Sequence, residues 1–262
     1  MASVRPPAVA GTFYPGDAAA LRAAVDGYLG DEAAGEAAAP KALIAPHAGY
    51  VYSGAAAGAA YRRLRPARAT IRCVVLIGPA HRVPVDGVAV SGAEAFATPL
   101  GPVAVDTAGV ARALDQPGVA VDDAAHRPEH SLEVQLPFLQ MALDDFSIVP
   151  LVVGRDPRGD AARVLDALWG GPETLVVVST DLSHYLGYEE AREIDAATCA
   201  AILALDGTAI APDRACGWAG VNGLLRVAAA RGLAPETVAL CNSGDTAGPR
   251  DRVVGYGAWV FQ

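Results

Sequence analysis

Lysine is almost absent from this sequence: Lys41 is the only one among 262 residues, and charged residues of all kinds make up 19%. The net charge is −9 and the arginines are scattered. A surface that tracks phosphates needs clustered Lys and Arg, so nucleic-acid binding is excluded as a reading. Long apolar runs are missing too. Gly, Pro or charge interrupts each one well short of the roughly 20 residues a membrane span requires. The opening "MASVRPPAVAGTFYPGD" lacks the apolar core of a signal peptide, which leads to the expectation of a cytoplasmic protein. Cysteine is sparse: Cys73, Cys199, Cys216 and Cys241 are widely spaced and none sits in a C-x-x-C pair. That excludes a disulfide framework and leaves each as a buried thiol or a single metal ligand.

What is present is apolar, at 52% hydrophobic residues, the composition of a folded chain. A domain of this length buries about 70–75% of its unfolded surface. Leu21, Val25 and Leu29 recur at helical spacing over 17–30, with Asp17 as N-cap. Residues 31–40, "DEAAGEAAAP", read as a linker. Strands and helices then alternate. "KALIA", "IRCVVLIG", "DGVAVSG", "FSIVPLVVG", "ETLVVVST" and "RVVGYGAWVF" read as strands. "SGAAAGAAYRRL", "EHSLEVQLPFLQMAL", 159–169, 188–204 and 217–231 read as helices, the second carrying a stripe of Leu132, Leu136, Leu139 and Leu143. Continuous apolar strands separated by helices predict a single-domain α/β sandwich over 1–262 with a largely parallel, doubly covered central sheet. Strand order is not given by this pattern.

Three of the five histidines fall just beyond apolar strands: His47 after "ALIAP", His81 after "VVLIGPA" and His184 after "LVVVSTDLS". Ligand crevices of open α/β sheets lie outside the carboxyl ends of the strands. Any one of these residues reads on its own as a strand-end histidine bonded to backbone. Three at the same edge, each near Gly or Pro, point instead to a shared crevice. His130 stands at the start of the Leu-striped helix and His126 in a polar stretch. Neutral imidazole is the commonest metal ligand, and two histidines with an anionic third ligand and open positions hold catalytic iron or zinc. Asp181, Glu133, Asp245 and the cysteines are the candidates for that third ligand; composition does not choose among them.

The motifs "AGTFYP", "APHAGYVYSG", "LIGPAHR", "EHSLEVQLPFL", "STDLSHY" and the "ACG" before an apolar helix occur in the order seen in the Memo family. Its bacterial members are also called AmmeMemoRadiSam system protein B. The chain resembles that family over nearly its whole length, and the family is similar in fold to the class III extradiol dioxygenases, which hold iron with two histidines and a carboxylate. The resemblance implies His47, His81 and Cys216 as metal ligands, a thiolate replacing the carboxylate. It also implies Asp181, His184 and His130 as site residues, with His184 as acid/base and Asp181 orienting it or a bound water. One departure is visible: where the family has Pro-Ile shortly after "CG", this chain has Gly220 and Val221.

The function implied is a metal-binding protein, a redox enzyme dependent on non-haem iron (or copper), dioxygenase-like, acting on a small-molecule or peptide ligand. The alternatives are a non-catalytic peptide- or metal-binding protein using the same cleft, and a zinc hydrolase. Bacterial members occur alongside radical-SAM and AMMECR1-like proteins, the partner proteins this resemblance implies. Of the remaining cysteines, Cys241 is the fallback ligand, Cys73 reads as core and Cys199 as lying on the apolar face of a helix.

Overall fold

The structure, a computed structural model, describes residues 3–30, 39–156 and 158–262. The linker reading falls at 31–40, of which 31–38 lie outside the described residues. The first half contains β1 (Val4–Arg5), α1 (Ala18–Leu29), β2 (Ala42–Ala45), α2 (Tyr50–Tyr61), β3 (Cys73–Pro79), β4 (Val88–Val90), β5 (Ala95–Thr98), β6 (Gly101–Val105), α3 (Thr107–Leu114), β7 (Val119–Val121) and α4 (Asp123–His126). The second half contains α5 (Leu136–Ala142), β8 (Ser147–Val153), α6 (Asp160–Ala167), β9 (Thr174–Ser179), β10 (His184–Leu186), α7 (Tyr188–Leu203), α8 (Trp218–Arg231), β11 (Pro235–Asn242) and β12 (Val253–Phe261). No helix among the described residues is long and apolar enough to cross a membrane.

The fold is mixed α/β around one large sheet, ordered β1-β5-β6-β8-β3-β9-β2-β12-β10, with β11 on β12 and β4 on β8 and β7. Its centre is a parallel block: β6 with β8, β8 with β3, β3 with β9 and β9 with β2. The continuous apolar runs follow from burial on both faces. Along β9, Leu175 and Val177 enter one core and Val176 and Val178 the other; along β3, Val74 and Leu76 part from Val75 and Ile77 in the same way. α1, α2 and α5 supply the first core, and α6 and α8 most of the second.

Helix α2 is small-residue rich because it is squeezed between the sheet and α1. A Cβ on Gly58 would lie 2.2 Å from the Tyr28 carbonyl oxygen. The stripe Leu132–Leu136–Leu139–Leu143 is buried as expected. The helix under it is shorter than the sequence pattern suggests, because a 3-10 turn (Glu133–Gln135) precedes α5 and Pro137 occupies α5's first turn, where proline's missing N–H is tolerated.

Candidate metal centre

The strand order β3-β9-β2 determines which residues meet. His47 leaves the carboxyl end of β2 and His81 that of β3, one on each side of β9. Their rings approach edge-on with centroids 5.1 Å apart. Cys216 reaches the same place from the turn before α8, with Sγ 3.4 Å from His47 Nε2. One ligand atom from each of the three lies within 4.8 Å of the others.

The turn is stitched to the end of β9. The Cys216 N–H donates to the Asp181 carbonyl at 3.2 Å, the Asp181 N–H to Cys216 Sγ at 3.2 Å and the Gly217 N–H to Thr180 Oγ1 at 2.8 Å. Gly217 is required here because a Cβ would sit 2.5 Å from the Ser179 carbonyl oxygen. The Gly220 and Val221 that depart from the family pattern lie buried inside α8.

His47 is 2% exposed. Its Nδ1 lies 2.8 Å from Ser179 Oγ. That hydroxyl gives its only proton to the Ser131 carbonyl at 2.7 Å, while Gln135 Nε2 donates to it at 2.8 Å. It therefore accepts from His47, which must carry its proton on Nδ1, leaving a bare Nε2 toward the sulfur. Burial, reinforced by His81 and His130, holds His47 neutral, its pKa well below the ordinary value. Burial pushes the Cys216 thiol up to about 12, with the Asp181 charge adding to the effect. Asp181, 5% exposed, is raised by burial to about 7 even though it accepts from the His47 N–H at 2.8 Å. Its Oδ2 is 4.0 Å from His47 Nε2. No helix follows Asp181, so it caps none: the chain passes through Leu182 into β10.

His130 joins the group from the loop before the 3-10 turn, 8% exposed. Its ring stacks on His81 at 4.8 Å, meets His47 edge-on at 5.6 Å and takes the edge of Phe13 at 4.8 Å. Burial lowers its pKa to about 4. Between His81 and His130 lies a carboxylate that sequence reasoning missed: Glu129, 2% exposed, with Oε1 2.9 Å from His81 Nδ1 and 3.3 Å from His130 Nδ1. The signal was its position directly before His130 in "PEHS".

Arg5 organises this loop. Its Nε donates to the His126 carbonyl at 2.8 Å, its Nη1 to Glu133 at 2.8 Å, and its Nη2 to the Glu129 carbonyl.

Glu133, one of the candidates for the third ligand, serves elsewhere. It is fully buried and accepts from Arg5, Tyr14 Oη and the N–H groups of Ala8 and Val9, pinning the N-terminal segment. His126, expected in a polar loop, is buried in α4, its Nε2 donating to the Ala89 carbonyl at 3.0 Å. Cys241 pairs with Tyr256 across β11 and β12, and Cys199 lies 3.3 Å from Thr237 Oγ1; neither joins the group within 4.8 Å. Cys73, read as core, is only partly buried at the first residue of β3. Asp245 closes a capping box with Asn242. Tyr50 is core, its hydroxyl donating to the Val134 carbonyl at 2.8 Å, and Tyr52 is 39% exposed.

His184 is exposed at the start of β10. The β10–β12 register breaks between His184 and Leu186, and the residue between them, Tyr185, has φ +61°. This left-handed bulge exposes both side chains in succession, where a regular strand would turn one inward. Desolvation lowers the His184 pKa, and His81 adds to the lowering. Asp181 accepts from the His47 N–H and not from His184.

The donor set fits a transition metal. Two imidazoles and one sulfur converge, and His47 offers a bare Nε2; a bound cation would favour the Cys216 thiolate that burial disfavours. Soft sulfur with borderline nitrogen suits iron, copper or zinc. Cys216 also forms part of the wall of a cavity of about 430 Å³ with Pro79, Pro84, Val153, Pro212 and Trp218.

A family model described as Memo-like protein matches residues 5–260. A MEMO1 family protein of Archaeoglobus fulgidus is 38% identical, covering 99% of this chain and 100% of its own. One from Aquifex aeolicus is 37% identical, covering 98% and 99%. Among solved structures, the crystal structure of uncharacterized protein JW3007 from Escherichia coli K12 superposes with a TM-score of 0.56 at 14% identity, over 83% of this chain and 98% of that one. This last likeness bears on the fold alone.

Proposed function

The chain belongs to the Memo family, and from that premise we propose that His47, His81 and Cys216 hold one transition-metal ion and that the protein is a non-haem metal-dependent redox enzyme. Iron is the first choice, with copper or zinc as alternatives. The observation that carries this reading is the meeting of His47, His81 and Cys216, from two flanking strands and a distant turn, within 4.8 Å.

The bound ion would supply redox chemistry toward a small substrate and O₂. The remaining tasks belong to the chain. Ser179 and Gln135 fix the His47 ring. Asp181, with its pKa raised to about 7, can take up or release a proton at the buried floor of the site. His184 is exposed, and desolvation favours its uncharged form, so it is suited to accept a proton from a ligand arriving from solvent. His130, neutral and packed against Phe13 and His81, shields the ligands from water. The cavity against Cys216, walled by prolines and Trp218 and edged by the charged pair Asp86 and Arg155, gives a small organic substrate with a polar group a place beside the sulfur.

The test is elemental analysis of protein purified anaerobically. One metal per chain is expected, and it is lost in His47→Ala, His81→Ala and Cys216→Ser. Stoichiometric metal in all three variants would refute the assignment.

A further inference from the structure

Glu129 is a heavily used buried side chain against His81 and His130 with no part in the proposed chemistry. Its carboxylate accepts from the His81 N–H at 2.6 Å, His81 Nδ1 at 2.9 Å, the His130 N–H at 2.9 Å and the Ser131 N–H at 2.9 Å. An ionised carboxylate only accepts, so His81 must carry its proton on Nδ1 and present a bare Nε2. The same oxygen that takes the His81 ring proton also takes two successive backbone N–H groups. One residue thus ties the end of β3 to the loop bearing His130. With Oε1 so occupied, His130 Nδ1 at 3.3 Å is left without a hydrogen-bond partner.

We propose that Glu129 is the positioning residue of the centre. It sets the tautomer and ring orientation of His81 and, through the same carboxylate, the placement of His130. Its own backbone is held in turn, because the Arg5 guanidinium donates to its carbonyl. A carboxylate behind a ligating histidine orients the ring and raises its basicity. The chain supplies that support unevenly: a neutral hydroxyl, Ser179, stands behind His47 and a full negative charge behind His81. His81 is therefore the stronger donor of the pair, and the site is electronically lopsided by construction.

The affinity part of this inference rests on the two-histidine, one-cysteine reading; the tautomer part does not. The experiment compares wild type with the isosteric Glu129→Gln in two measurements. In metal-free protein, ¹⁵N-resolved NMR of the histidine rings reads which nitrogen of His81 carries the proton, His81→Ala identifying the resonance. Wild type is expected as Nδ1–H, and Glu129→Gln as a mixture with Nε2–H.

In the second measurement, Zn(II) affinity of the folded metal-free protein by chelator competition is expected to fall ten- to hundredfold, the thermal midpoint falling too because a buried acceptor of several N–H groups is lost. Should Glu129→Gln not fold, Glu129→Asp keeps the charge the N–H groups need but is one methylene too short to hold both ring and loop; the same loss of affinity is expected. An unchanged tautomer and unchanged affinity overturn the proposal. So does a second zinc ion bound by wild type and lost in Glu129→Gln, which would make Glu129 a ligand. Metal retained in Cys216→Ser together with a shifted His81 tautomer would instead fault the metal assignment and leave Glu129's positioning of His81 intact.

Discussion

At the scale of single residues, position at a strand end separates site histidines from structural ones. His47 and His81 are legible because a rare residue type ends an apolar run at the crevice edge of the sheet. Glu129 is not, because a carboxylate in a loop carries no periodicity and its partner lies 48 residues away. His126 and Glu133 mislead for the complementary reason: each is buried against a distant partner, the Ala89 carbonyl for the His126 ring and Arg5 for Glu133, that no local pattern announces.

His184 offers a clean separation of ligand from acid/base. His184→Ala should retain the metal and lose turnover, measured as metal content and oxygen consumption on the same sample; loss of the metal would make His184 a ligand.

His126 gives a pH prediction. Its pKa is lowered to about 4 by burial and by Arg5, against the Ala89 carbonyl, Asp123 and Asp122. The unfolded chain therefore takes up a proton near pH 6.5 that the folded chain refuses until about 4. Stability is full above 6.5 and falls as pH drops through that window. The loss across it is about 3 kcal/mol, since each pH unit separating the folded and unfolded values is worth about 1.4 kcal/mol. Denaturant unfolding of metal-free wild type and His126→Gln at about pH 7 and about pH 4.5 should show a smaller loss in the variant, and equal losses would contradict it.

At the scale of elements, strands buried on both faces and helices with clear stripes are legible from apolar runs. The hairpin β5–β6 is not, although "AFATPLGPVAV" alternates and turns at Gly101, φ +118°. It lies between longer signals, and its strands are only half-buried. β11 escapes for the same reason: its exposed outer positions dilute the apolar pattern.

The small residues of α2 signal close approach to a neighbour, and that approach is testable. Gly58→Ala places a methyl 2.2 Å from the Tyr28 carbonyl oxygen, so α1 must move. Overpacking of this kind costs about 1–3 kcal/mol, read as a lower urea midpoint. An unchanged midpoint would show that the α1–α2 contact is looser than described.

At the scale of the whole molecule, the site exists because strand order sets β3 and β2 on either side of β9. Order is a property of the packed sheet and is absent from the local pattern, which is why the sequence points to the candidate ligands but not to their meeting. The assembly also predicts linkage between metal, protons and stability. With its thiol raised to about 12, Cys216 must release a proton when metal binds near neutrality. Zn(II) affinity should then rise about tenfold per pH unit between about 6 and 8, and one equivalent of protons should appear in a weakly buffered titration. In Cys216→Ser that release should vanish.

The central claim is that one sulfur and two imidazole nitrogens share a single ion. X-ray absorption at the metal edge of the loaded wild-type protein tests this directly. The account predicts a sulfur shell of one atom near about 2.3 Å together with nitrogen scatterers near about 2.0–2.1 Å for zinc, the sulfur shell disappearing in Cys216→Ser. A wild-type spectrum with nitrogen and oxygen alone would contradict it.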